Sequence, residues 1–239
     1  MKLTLIIAKR ELTSLFCSPI AYLVIGLFAL GTSLIFTIHF SPGARAELRG
    51  PFTGILWLMI FVVPAISMRV ISEEFRSGAI ELLMTAPLSD TQVILGKWLG
   101  SLAFLATMMI PVVIMWLVLE LYGSPDWGPI LSGLLGMLLV GGLYLAIGVF
   151  ASTITQNQVI AFLVAVFIIC LLTIALYFLS QADALWRNLR MALDYMNVHE
   201  RFEDFNKGVV ALNNIIYFIS GIAVFLFMAV KILESRRWR

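Results

Sequence analysis

The sequence predicts an all-α polytopic membrane protein, and three observations carry that reading. The apolar set AVILMFWYC makes up 61 %, and the 17 glycines raise it to about 68 %, against ~45–50 % for the same set in a soluble protein. Charged residues are 13 %, half the usual ~25 %, too few to cover a globule in water. The apolar residues also fall into six continuous runs, each long enough to cross ~30 Å of hydrocarbon as a helix. The runs lack the period-two alternation of barrel strands, so helices are expected.

Taken in order, residues 1–18 form an entry segment in which Lys9, Arg10 and Glu11 precede the first run. That run is too long for the apolar region of a cleavable signal peptide. The expected spans cover about residues 20–40, 52–68, 98–121, 130–151, 159–179 and 215–232. Pro64 and Pro111 lie inside spans, where they are candidate kinks. The interiors of the spans carry no charge, which argues against a proton- or sodium-coupled carrier. His39 and Glu120 fall at span ends, where they reach water. Packing must therefore join the helices. The fourth span supplies the small-xxx-small pairs Gly142/Ala146 and Gly148/Ser152.

Six crossings place both termini on one side of the membrane. With the termini inside, ten lysines and arginines lie inside and six outside; Arg236, Arg237 and Arg239 after the last span are the clearest inner anchors. Both termini are accordingly expected in the cytoplasm. The formal charge of +2 gives no reason to expect a nucleic-acid partner. Cys17 and Cys170 have no metal-binding spacing and imply no disulfide framework; both are expected to pack as thiols.

Two loops are long enough to carry structure, about residues 69–97 and 181–214. In the first, Ile71, Phe75, Ala79, Leu82, Leu83 and Ala86 fall on one helical stripe, with Glu73, Glu74, Arg76, Ser77 and Glu81 mostly off it. An amphipathic helix over 71–86 is expected, ended by Pro87. Ser89 and Gln92 then form a capping box for the next helix. Lys97 and Trp98 mark the interface where the third span enters. In the second loop, Leu185, Leu189, Ala192, Leu193 and Met196 predict one interfacial helix. The cluster His199, Glu200, Glu203 and Asp204 after it reads as solvated structure, and no metal site is assigned.

The order GluGluPheArgSerGlyAlaIleGluLeuLeuMetThrAlaProLeuSer at 73–89, followed by Gly96-Lys97, resembles the signature of ABC-2 type transporter permeases. That signature has an acidic pair, a glycine, Glu-Leu-Leu, a Thr/Ser-x-Pro and a downstream Gly-Lys, placed after the second of six spans. Residues 8–12, AlaLysArgGluLeu, look like the family's amphipathic entry helix. Residues 199–209 and 234–238 are similar to a narrower subgroup, the permeases of gliding-motility-associated ABC transporters.

The resemblance implies the six-helix ABC-2, type V exporter-like permease fold as a single domain over 1–239. It implies a bacterial inner-membrane subunit that pairs with a second permease subunit and a cytoplasmic ABC ATPase. The 71–86 segment would be the coupling helix, with Glu73, Glu74, Phe75, Gly78, Glu81 and Leu82 as the coupling residues. The chain has no GxxxxGK[ST] phosphate loop, so it is not expected to be an enzyme or to hold a cofactor; ATP and Mg would sit on the partner. The function implied is ATP-driven export or conformational work. The alternative is a scaffold that drives an extracytoplasmic partner without moving a substrate, with Phe202 and Phe205 as candidate contacts to an outer auxiliary subunit.

Overall fold

A computed structural model describes residues 2–40, 47–80, 88–180, 193 and 195–237. Among these residues there are helices and no strand. They are α1 (Lys2–Phe16), α2 (Pro19–His39), α3 (Arg49–Ser67), α4 (Ser72–Ser77), α5 (Asp90–Met108), α6 (Ile110–Tyr122), α7 (Trp127–Ile154) and α8 (Gln158–Cys170). A π-helical turn at Leu171–Ala175 leads into α9 (Leu176–Ser180), followed by α10 (Val198–Asn206) and α11 (Leu212–Arg237). Among the described residues, six helical stretches are long and apolar enough to cross a membrane, as expected: Pro19–His39, Arg49–Ser77, Asp90–Tyr122, Trp127–Ile154, Gln158–Leu179 and Leu212–Arg236. We call the end of the bundle that holds α1, α4 and the close of α11 the terminal face. The end that holds α10 is the distal face.

The third and fourth spans start before the expected runs because side chains cap them there: Ser89 before α5, and Asp126, whose Oδ1 accepts the Gly128 N–H at 3.2 Å, before α7. The third span starts at Asp90: Ser89 Oγ accepts the Gln92 N–H at 3.3 Å, and Gln92 Oε1 accepts the Ser89 N–H at 3.2 Å. This is the capping box expected from the sequence. The same span breaks at Met109 and restarts with Pro111 in its first turn, where a missing N–H costs least. Pro64, by contrast, stays inside α3. At the distal ends, His39 Nδ1 bonds the Ile35 carbonyl at 2.8 Å and Glu120 accepts from Trp127 Nε1 at 3.2 Å.

α7 is the axis of the bundle. Every residue from Val140 to Val149 is buried, so no side of this stretch faces lipid. It packs against α3, α5, α8, α10 and α11. Where α3 crosses it, a Cβ on Gly148 would lie 1.7 Å from Ser67 Oγ, so only glycine fits. Gly142 is looser, with the nearest atom, Ile222 Cδ1, at 3.3 Å. The two small-residue pairs read from the sequence therefore differ: one is a steric requirement and the other is not.

The bundle interior also holds a polar contact. Tyr144 on α7 and Thr173 are fully buried, and their hydroxyls meet at 2.8 Å. Thr173 lies in the π turn, where the widened helical repeat rotates the following residues relative to an α-helix.

Gly148→Ala is expected to destabilise the chain by ~1–3 kcal/mol by displacing Ser67, whose hydroxyl donates to the Val63 carbonyl at 3.1 Å. Gly142→Ala should be neutral or slightly stabilising. Thermal unfolding of the two variants in detergent makes the comparison, and equal effects would remove the steric assignment at Gly148.

Candidate coupling site

The segment after α3 is held by helices distant in sequence. The backbone N–H groups of Ile71 and Ser72 donate to Ser152 Oγ on α7 at 2.9 and 2.8 Å. Ser152 thus satisfies donors that the start of α4 would otherwise leave open. Val70, Ile71 and Ile80 pack into an apolar cluster with Ile94, Val149 and Leu233, and Phe75 lies against it. The guanidinium of Arg236 on α11 sits 4.5 Å from the centre of the Phe75 ring and donates to the carbonyl of Ile154.

The helix expected over 71–86 is interrupted at Gly78; Ala79 and Ile80 are helical again, and residues 81–86 lie outside the described residues. α4 ends at Ser77, and Gly78 adopts a left-handed conformation with φ of +72°, its N–H on the Phe75 carbonyl. The apolar stripe could be read from the sequence, but the glycine that ends the first turn and a half outweighs it. Glu81 and Leu82 lie outside the described residues. Of the remaining coupling candidates, Glu73 and Gly78 are exposed, as is neighbouring Arg76, while Phe75 turns toward the bundle beside buried Ile71.

Glu74 points neither to bulk water nor to lipid. Its Oε1 lies 2.9 Å from Lys97 Nζ and 3.2 Å from Arg10 Nη2. Lys97, on α5, is 2 % exposed. Its ammonium also reaches Glu11 Oε2 at 2.9 Å and the Val70 carbonyl at 2.7 Å. Three donors meet three acceptors, and two cations face two carboxylates, so this buried charge is satisfied. Glu74 Oε2 is buried and lacks a partner. One face outward, Arg69 pairs with Glu73 at 3.0 Å and donates to Ser18 Oγ.

The glycines beside Lys97 make the geometry possible. A Cβ on Gly96 would stand 2.9 Å from the Thr4 carbonyl, and one on Gly100 2.7 Å from the Ala8 carbonyl. Their absence lets α1 lie directly on α5, which carries Glu11 to Lys97. The Gly-Lys element thus has two parts: the glycine admits α1, and the lysine joins it to α4.

This corrects the reading of Lys97 and Trp98 as interfacial markers. Lys97 is buried under α1, and half-buried Trp98 donates through Nε1 to the Gly142 carbonyl at 3.0 Å. The sequence held a usable signal. Glu11 is the only acid of α1 and falls on its apolar side, with Ala8, Leu12 and Leu15. An acid there needs a cation.

The distal face requires a second correction. Phe202 and Phe205 are fully buried and not free for an outer subunit. Both lie against Gly136, Phe205 also packs on Phe218, and Ser132 Oγ donates to the Phe205 carbonyl at 2.6 Å. Glu200 on α10 and Lys207 just past its end take the solvent. His199 is buried between the rings of Trp57 and Tyr177, at 5.6 and 5.1 Å. Of the interfacial helix expected at 185–196, residues 185–192 and 194 lie outside the described residues.

Residues 50–231 match the family model described as ABC-2 family transporter protein. No individually curated protein matches the chain. The matched stretch includes Glu74, Gly96 and Lys97 but begins after α1, so Arg10 and Glu11 reach the site from outside it.

Lys97→Met leaves Glu11 and Glu74 without their shared cation and should cost ~3–5 kcal/mol. Adding Glu11→Gln and Glu74→Gln should restore much of that loss, because the stranded charges are gone. Thermal unfolding of the detergent-purified chain reads both. A single variant as stable as the native chain would overturn the assignment of Lys97 as the hub.

Proposed function

Because the chain belongs to the ABC-2 family of transporter proteins, it is a multi-pass membrane permease subunit, and we propose that it passes the ATP-driven motion of a separate ABC ATPase to its spans through α4 and α1. Members of this family generally work with such an ATPase. The observation that carries the proposal is the Lys97 ammonium, bonded at once to Glu74 of α4 and Glu11 of α1 at the start of a span. A push on α4 then moves α1 and α5 with it instead of bending a loop.

In this reading the terminal face is cytoplasmic, the membrane is the bacterial inner membrane, and ATP and Mg stay on the ATPase. Glu73, Arg76 and Gly78, exposed on α4 and at its end, present the docking surface. Glu74 and Phe75 face inward and brace it, the first through Lys97 and the second under Arg236. A second permease subunit completes the complex, and the work done is export across the bilayer. The scaffold reading of the gliding-type subgroup loses the outer contacts it relied on, since Phe202 and Phe205 are buried.

The test is co-purification in mild detergent with the products of neighbouring genes. A soluble P-loop ATPase is expected to stay bound. Glu73→Arg with Arg76→Glu should release it while thermal stability changes little, since the partly exposed surface pair lost, Arg69–Glu73, contributes ~0–1 kcal/mol. Recovery of the native chain without any ATPase would overturn the proposal, and full retention by the charge-reversed variant would overturn the docking surface.

A further inference from the structure

Apart from Arg10, which bonds Glu74, the outward face of α1 has no role in the Lys97 network. Its acid, Glu11, turns inward to Lys97, so the charges left outside are those of Lys2, Lys9 and Arg10. Lys2, Ile6, Lys9 and Thr13 share one stripe at helical spacing. Aliphatic side chains lie bare among the cations: Leu5 is 61 % exposed and Ile6 63 %. An open groove along this face is lined by Ile6, Lys9, Arg10, Thr13, Ser14 and Cys17. α1 ends at Phe16, and the first span begins at Pro19, so the face lies beside the membrane boundary.

We propose that this face is a docking surface for the anionic lipid headgroups of the leaflet on the terminal face. The chemistry selects that occupant. Exposed leucine and isoleucine fit among acyl chains, while lysine, arginine and the groove hydroxyls suit phosphate oxygens. No carboxylate of α1 opposes them, because the helix spends its only one on Lys97. Arg10 belongs to both sites. Its side chain is 65 % exposed yet bonds Glu74 at 3.2 Å, so a headgroup phosphate and Glu74 draw on the same guanidinium. The proposal needs only a chain embedded in a bilayer and is independent of the ATPase reading.

Cys17 is exposed at the end of the groove and, in a Cys170→Ser chain, takes an environment-sensitive fluorophore. The labelled full chain is reconstituted in phosphatidylcholine vesicles that contain either brominated phosphatidylglycerol or, at the same mole fraction, brominated phosphatidylcholine. The anionic quencher is expected to act several-fold more strongly. That excess should collapse at about 1 M salt, where the Debye length is ~3 Å. Lys2→Gln with Lys9→Gln, which leaves the Lys97 network untouched, should remove most of it. Equal quenching by the two lipids, quenching by neither, or an excess that survives both salt and substitution would overturn the proposal. The salt series on the unsubstituted stripe stands even if the double variant fails to fold.

Discussion

A single ammonium group determines how the terminal face is built. Lys97 is carried inside the protein on a helix that has already begun to cross the membrane. A cation there, out of water, needs acceptors on every donor and opposite charge close by. Those requirements draw in Glu11 from α1, Glu74 from α4 and the Val70 carbonyl from the backbone just past α3. Such a pair adds little net stability over well-packed apolar groups of the same size, but its geometry is demanding. Its effect is to specify one arrangement of three elements that apolar packing alone would leave free to slide.

The rest of the bundle is joined by other means, graded along its axis. In the middle, α7 relies on close approach of backbones, with the Tyr144–Thr173 hydroxyl pair as a polar contact. At the distal face the fasteners are amides and a ring stack. Asn206 donates to the Arg49 carbonyl and to Thr53, both at 3.1 Å. Asn214 links Asp204 at 2.7 Å to Arg201 at 3.0 Å, and Arg201 lies 4.0 Å from the centre of the Tyr195 ring. The terminal face, where force is to enter in the proposed function, is the end tied by buried ion pairs.

The parts of this fold legible in the sequence are those set by local chemistry. Six apolar runs and the Ser89–Gln92 box needed no knowledge of neighbours and appear as expected. Long-range requirements were less visible. The burial of Lys97 depends on a helix that begins 95 residues earlier in the sequence (Lys2 to Lys97) and on glycines whose purpose appears only when α1 is laid over them. Phe202 and Phe205 looked like surface aromatics because their charged neighbours dominate the segment. Helical spacing turns those neighbours to one side and both rings to the other. The π turn at Leu171–Ala175 has no composition signal, since Thr173 is its one polar residue in an otherwise apolar run. At Gly78 a strong periodic pattern hid a backbone stop.

The 86-residue separation of Glu11 and Lys97 has a consequence for biogenesis. Chains are threaded into a membrane from the N-terminus, so α1 and the first two spans are made before Lys97 exists. During that interval Glu11 has no buried partner, and α1 must wait at the bilayer surface in contact with water. Only when α5 enters can α1 settle on Gly96 and Gly100, and α4, made in between, is captured in the same event. Closure of the terminal face around Lys97 therefore requires the third span to have been made. A chain arrested before that point would lack the cation that joins α1 to α4.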